Sequence, residues 1–312
     1  MNLRQEVLIL AWLAATLTIA TVVAMILRAR AGPVQNSVLD NLSARIKAWW
    51  VMIILLAGAF LAGRNAVIVL FGLISFAALR EFITLTPTHR ADQVAIFMSF
   101  FIVLPMQYWL IWTRWYGFFA ILIPVYAFLV LPIASVVFGD SENFLARTAE
   151  TQWGVMVCIY CISHVPALLT LDIPGYRDGD PLLVIFLLIV VQSSDVLQYV
   201  WGKLLGRHKI APSLSPSKTV EGFIGGVACA TLLGTALWRI TPFSPLQAAG
   251  MSLVATLMAF FGGLVMSAIK RDRGVKDWGH LIQGHGGMLD RLDSVAFSAP
   301  ILFHLTRYFF TP

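Results

Sequence analysis

Charge is what this sequence has least of. Only 12% of its 312 residues are Asp, Glu, Lys or Arg, while 59% are hydrophobic. Soluble domains carry roughly 25% charged residues, so the deficit excludes a water-soluble globular domain. Cysteine is also scarce, and three residues do not make a disulfide framework. Cys158, Cys161 and His164 fall at i, i+3 and i+6 in "CIYCISH". They lie inside an apolar run without a fourth ligand nearby, so we read small packed thiols and a hydrogen-bonded histidine, not a metal site. Internal repeats and low-complexity tracts are missing, and no linker is long enough to divide the chain into independent domains. "SPSKT" lacks the Gly-x-x-x-x-Gly-Lys-Ser/Thr spacing of a phosphate loop.

What is present is a succession of apolar runs of roughly 18 to 23 residues, the length that crosses about 30 Å of hydrocarbon at 1.5 Å per residue. They do not alternate as β-barrel strands do. The expected fold is therefore all-α: a polytopic membrane protein with about ten transmembrane helices, near 7–27, 49–63, 65–84, 94–112, 117–138, 153–171, 181–201, 221–239, 247–269 and 290–310. The first run is too long for a signal-peptide core and no small-x-small cleavage site follows, so it is expected to be retained. Only "GRN" separates the second and third helices, which implies a tight hairpin or a re-entrant segment. Between the first two, "NSVLDNLSARIKAWW" places Val38, Leu39, Leu42, Ile46 and Trp49 at helical spacing around Arg45 and Lys47. This fits either an interfacial helix or a plain polar connector. "AALREF" suggests that Arg80 and Glu81 form a pair at the end of the third helix.

With ten helices, sixteen Lys and Arg residues fall on the side of the odd-numbered connections and six on the other. By the positive-inside rule the odd connections face the cytoplasm, and both termini face away from it. The two richest polar stretches then share the cytoplasmic side. One is Ser193–Gly226, the other "KRDRGVKDWGHLIQGHGGMLDRLD", Lys270–Asp293; together they hold nine of the 22 Lys and Arg residues. They also hold Asp195, Glu221, Asp272, Asp277, Asp290 and Asp293. Purely basic stretches would suggest anionic headgroups alone. Carboxylates interleaved with cations suit a hard divalent cation and phosphate oxygens together, the needs of phosphoryl or nucleotidyl transfer onto a lipid. Gly286 and Gly287 precede the last helix, whose free amides are expected to form an anion site. Asp290 and Asp293, three residues apart, share a helical face, and Arg291 points elsewhere. Asp195 lies at membrane depth, where an ionisable group is costly and functional by default. We therefore divide the chain into 1–180, N-terminal helices with the interfacial segment, and 181–312, a catalytic transmembrane region.

At this point the residues resemble a known family. Ser267, Lys270–Arg271, Lys276–Asp277, Gly279, His285–Gly286–Gly287, Asp290–Arg291 and Asp293 match the signature of phosphatidate cytidylyltransferases, or CDP-diglyceride synthases. Asp195, Tyr199, Gly202, Lys203, Gly206, Ser215, Pro216, Lys218, Thr219, Glu221 and Gly222 extend the resemblance upstream. Gln283 stands where many members have Pro or Gly, and Gln198 where many have Ala, as in a divergent bacterial paralogue. The resemblance implies cytidylyl transfer from CTP to phosphatidate or a related lipid phosphate, giving CDP-diacylglycerol and pyrophosphate. It implies Mg²⁺, in some members a monovalent cation such as K⁺, and a homodimer, at the inner membrane with the site facing the cytoplasm. No nucleic-acid partner is expected. The implied catalytic residues are Asp290, Asp277, Lys276, Lys270 and Arg271. Substrate would contact Ser215, Lys218, Thr219, Lys203, His285, Arg291 and Ser267. Metal would be held by Asp290, Asp293, Asp277 and Asp195. Two rivals remain: another CTP-dependent lipid enzyme such as a polyprenol kinase, and a membrane transporter. The charge sits in the C-terminal half alone, unlike the paired halves of transporters. The Asp-Gly-x-x-Ala-Arg pattern of CDP-alcohol phosphotransferases is absent.

Overall fold

Long helices follow from the apolar runs, and their ends from local chemistry. A computed structural model describes residues 17–19, 21–26, 28, 37–138, 141–176, 180–282, 284 and 286–312. We label the helices α1 (Ser37–Ala62), α2 (Arg64–Leu85), α3 (Arg90–Trp112), α4 (Tyr116–Val137), α5 (Phe144–Thr170), α6 (Asp180–Leu205), α7 (Val220–Ala236), α8 (Pro245–Asp272) and α9 (Leu289–Phe310). Among the described residues, seven helices are long and apolar enough to cross a membrane, namely α1 to α6 and α8. Of the other three expected crossings, the first, near 7–27, lies largely outside the described residues; α7 is a shorter apolar helix, and the 22-residue α9 carries Asp290, Arg291, Asp293 and Arg307.

The segment before the second expected helix is not separate. It is continuous with that helix in α1, which has no proline and no glycine before Gly58 to interrupt it. The chain turns between α1 and α2 at Gly63, whose φ of 94° lies in the left-handed region. Ser244 starts α8 through a reciprocal capping box with Gln247, with Pro245 just inside. Widened π turns at Ser99–Val103, Leu122–Ala127 and Met156–Cys161 contain Pro124 or precede Pro105 and Pro166. A proline there removes a ladder donor and displaces the preceding carbonyl.

The fold departs from pure helix at one place. Lys209–Ala211 (β1) and Ser215–Thr219 (β2) pair as an antiparallel hairpin, with Lys209 opposite Thr219 and Ala211 opposite Ser215. Thr219 closes the hairpin and caps α7, its Oγ1 accepting the Gly222 N–H at 3.1 Å. Glu221, in the first turn of α7, accepts the Arg207 and His208 backbone N–H groups at 3.0 and 3.2 Å. It also pairs with His208 Nδ1 at 2.6 Å. The hairpin is thus clamped to the start of the helix that follows it.

Small residues let the C-terminal helices approach closely. A Cβ on Gly226 of α7 would collide with the Gln198 backbone of α6, and one on Gly262 of α8 with Phe297 of α9. The N-terminal helices are tied by buried polar groups instead. Tyr108 of α3 donates to the Phe71 carbonyl of α2 at 2.8 Å, and Ser75 lies 2.6 Å from the same hydroxyl. Cys158 is buried, and His164 Nδ1 donates to the Tyr160 carbonyl at 2.7 Å. No group of three or more His, Cys, Asp or Glu side chains suited to a metal occurs among the described residues.

Candidate active site

Helices α6 to α9 and the hairpin enclose a cavity of about 270 Å³. Asp195 reaches it from α6, Lys218 and Thr219 from β2, Ser267 from α8, and Asp290, Arg291 and Asp293 from α9. Tyr199, Phe223 and Phe260 supply apolar wall. Residues nearly a hundred positions apart in sequence therefore share one polar space inside an apolar bundle. Lys218 extends over α8, its Nζ 4.6 Å from the centre of the Phe260 ring and 3.4 Å from the Phe260 carbonyl. Burial lowers the Lys218 ammonium below its usual value, while Asp195 and Asp293 pull in the opposite direction. Asp195 and Asp293 in turn feel each other, Lys218 and Arg291. The Arg291 Nε is a buried donor without a hydrogen-bond partner among the described residues.

Asp290 is held differently. Its Oδ1 accepts from Lys270 Nζ at 2.7 Å, and its Oδ2 accepts the Trp278 and Gly287 backbone N–H groups at 2.8 and 2.9 Å. The two side chains are buried, 4% exposed for Asp290 and 11% for Lys270. Both carboxylate oxygens are thus engaged by the protein, and the Lys270 ammonium is committed to the same pair.

The geometry revises several expectations. The amides before the last helix do not form an open anion site. Gly286 does take a left-handed φ of 83°, but Gly287 donates to Asp290. Met288 and Leu289 donate to Glu81 Oε1 and Oε2 at 2.8 and 2.9 Å. Glu81 therefore does not pair with Arg80, which is exposed; it caps α9 from α2. Asp277 and Lys276 are exposed on the loop and are not among the residues that line the cavity, although the Asp277 Cβ and the Asp290 carboxylate both lie close to Gly286. Arg271 is turned to backbone carbonyls, Leu214 at 3.2 Å and Val275 at 2.8 Å, and staples the loop to the hairpin turn. Lys203 is exposed near the Tyr199 ring, and Ser215 pairs in the hairpin; neither lines the cavity. Ser267 does, with its hydroxyl donating to the Gly263 carbonyl at 2.6 Å. His285 lies outside the described residues.

Fold and cavity together define a polytopic α-helical membrane protein with a charged chamber at one end of its C-terminal helices. The model of the cytidylyltransferase family matches residues 43–309, and the chain belongs to that family of nucleotidyltransferases. It is 38% identical over 269 residues to the "Uncharacterized protein YnbB" of Escherichia coli (strain K12), covering 86% of this chain and 88% of that one. It is 40% identical over 121 residues to the phosphatidate cytidylyltransferase of Staphylococcus aureus (strain COL), covering 38% of this chain and 46% of the relative. A phosphatidate cytidylyltransferase of Staphylococcus saprophyticus is 41% identical over 123 residues, with the same coverage. The match thus spans less than half the length of these staphylococcal enzymes.

Proposed function

We propose that the protein transfers the cytidylyl group of CTP to phosphatidate, leaving CDP-diacylglycerol in the membrane and releasing pyrophosphate. The observation that carries this reading is the content of the cavity. Two half-buried carboxylates, Asp195 and Asp293, are opposed by Lys218 and by an Arg291 Nε that lacks a partner among the described residues. A phosphate oxygen would supply the acceptor that Arg291 lacks, and Lys218 would share the same charge. In the reaction a lipid phosphate oxygen bonds to the α-phosphorus of CTP and the bond to the bridging oxygen of the β-phosphate breaks. No general base is required, because a phosphomonoester is already an anion near neutral pH. Lys270 acts by holding Asp290, and Arg271 and Lys276 meet only those parts of the nucleotide that extend beyond the cavity.

The residues also fit a divalent cation. Mg²⁺ usually sits on one or two carboxylates plus substrate phosphates, and Asp195 and Asp293 are two like charges in one chamber whose repulsion a cation offsets. We assign the ion to that pair, with Asp290 as their support. When bound it neutralises charge that develops on the phosphates. On the charge bias we place the cavity at the cytoplasmic face of the inner membrane.

The test is to incubate the purified protein with labelled CTP, Mg²⁺ and phosphatidate. A lipid that retains the cytidine label, with pyrophosphate in solution, is the expected result. Release of CDP with only phosphate added to a lipid acceptor would make the protein a kinase instead.

A further inference from the structure

Helix α9 carries Asp290, Arg291 and Asp293 into the cavity, so its position along its own axis decides whether they reach it. A slip of one residue moves a helical side chain by 1.5 Å and turns it by about 100°. The first amides of a helix have no partner within it and must find one elsewhere. Here that partner is a carboxylate 207 positions earlier in the chain: Glu81 takes the Met288 N–H at 2.8 Å, and also the Leu289 N–H at 2.9 Å. Both oxygens are used, and the negative charge faces the positive end of the helix. Because Glu81 sits on a different helix, α9 cannot slide without losing both bonds.

The loop before α9 is shaped around this carboxylate. A Cβ on Gly287 would run into it, and one on Gly279 would come within 3.0 Å of Glu81 Oε1. The neighbouring Phe82 stacks on Trp278, with ring centroids 5.2 Å apart and planes 22° apart. The Trp278 backbone N–H is one of the donors that hold Asp290. Two adjacent residues of α2 thus reach Asp290, one through the helix start and one through the tryptophan.

We infer that Glu81, seated beside Phe82, is a positioning residue for the reaction: it sets the register of α9 and so the placement of Asp290 and Asp293 in the cavity. The inference rests on the nucleotidyl-transfer reading above. A cap that only stabilised the helix would change stability without changing turnover. Positioning predicts more, because a misplacement of about 1 Å at a reacting centre costs on the order of 100-fold in rate.

The experiment compares Glu81→Gln with Ser75→Ala in the full chain, purified in detergent and assayed with CTP, Mg²⁺ and phosphatidate. The glutamine keeps the shape but points an NH₂ group at one of the two amides. Ser75→Ala loosens the same helix at its contact with Tyr108 (2.6 Å), away from the loop. In Glu81→Gln, kcat should fall about 10- to 100-fold with the KM for CTP within about threefold. Amide hydrogen exchange at Met288 and Leu289 should quicken. Ser75→Ala should keep kcat within about twofold at whatever stability it loses. Should Glu81→Gln fail to fold, Glu81→Asp, too short to span both amides, is read by the same measures. A kcat within about twofold of wild type, or a loss no greater than that of Ser75→Ala, overturns the inference. If the wild-type protein makes no cytidylylated lipid, the functional reading fails by itself. The exchange measurement then decides Glu81: faster exchange upholds its hold on α9, and unchanged exchange removes it.

Discussion

Substituting Asp290 by Asn separates two accounts of that residue. A carboxylate that only caps a helix is replaced by Asn at almost no cost, since the two cap comparably and a whole cap is worth about 0.5–2 kcal/mol. The structure requires a larger loss. Asp290 accepts from three donors, the Lys270 ammonium and the Trp278 and Gly287 amides, with its side chain 4% exposed. Asn offers one oxygen and one NH₂ group. If the oxygen faces Lys270, two backbone donors meet another donor; if it faces the amides, the ammonium does. Either way a buried charge or buried amides lose their partner. Removing one member of a buried ion pair costs roughly 3–5 kcal/mol. Thermal or denaturant unfolding of Asp290→Asn in detergent should therefore show a loss of that size, with cytidylyl transfer reduced on the order of 100-fold or more. Lys270→Met should be destabilised similarly. The double variant should be less unstable than the sum of the two, by about 1.5–3 kcal/mol, because neither then leaves the other stranded. An Asp290→Asn protein destabilised by under about 1 kcal/mol would refute the reasoning and return Asp290 to a simple capping role.

Other predictions address the cavity, the packing and the orientation. Asp293→Asn or Asp195→Asn should raise the Mg²⁺ concentration needed for half-maximal activity, measured by titration; an unchanged midpoint in both would remove the ion from that pair. Lys218 is held below its usual pKa of 10.5, so its charge is lost at lower pH than that of an ordinary lysine. The alkaline limb of the pH–rate profile should move upward in Lys218→Arg. The same depression means that stability rises with pH between the lowered value and 10.5, because the unfolded chain binds more protons there. Gly226→Ala should part α6 from α7 against the Gln198 backbone and cost about 1–3 kcal/mol, read from unfolding. Single cysteines placed near Lys209 and Lys276 should resist an impermeant thiol reagent added outside intact cells; labelling of both would invert the orientation.

Much of the candidate site lay open in the chain itself, because its elements are local. Apolar runs long enough to cross hydrocarbon announce helices wherever they occur, and every expected helix whose residues are described is present. The Ser267–Asp293 stretch carries its charge pattern within one loop and two helix ends, so its mixed charge and its resemblance to the family could be read along the chain. Tertiary structure decided which of those charges face one another. Asp277 and Asp290 are near in sequence, yet one is exposed on the loop and the other is locked to Lys270 and two amides. Asp195, by contrast, lies far from Asp293 in the chain and shares its chamber. Glu81 gave no usable signal, because an acidic residue beside an arginine at a helix end looks like an ordinary surface pair. Its partners are backbone amides, which any sequence possesses, brought within reach only when α2 packs against the start of α9. Side-chain identity and periodicity are written along the chain; the aim of a carboxylate is set by where distant helices come to rest against each other.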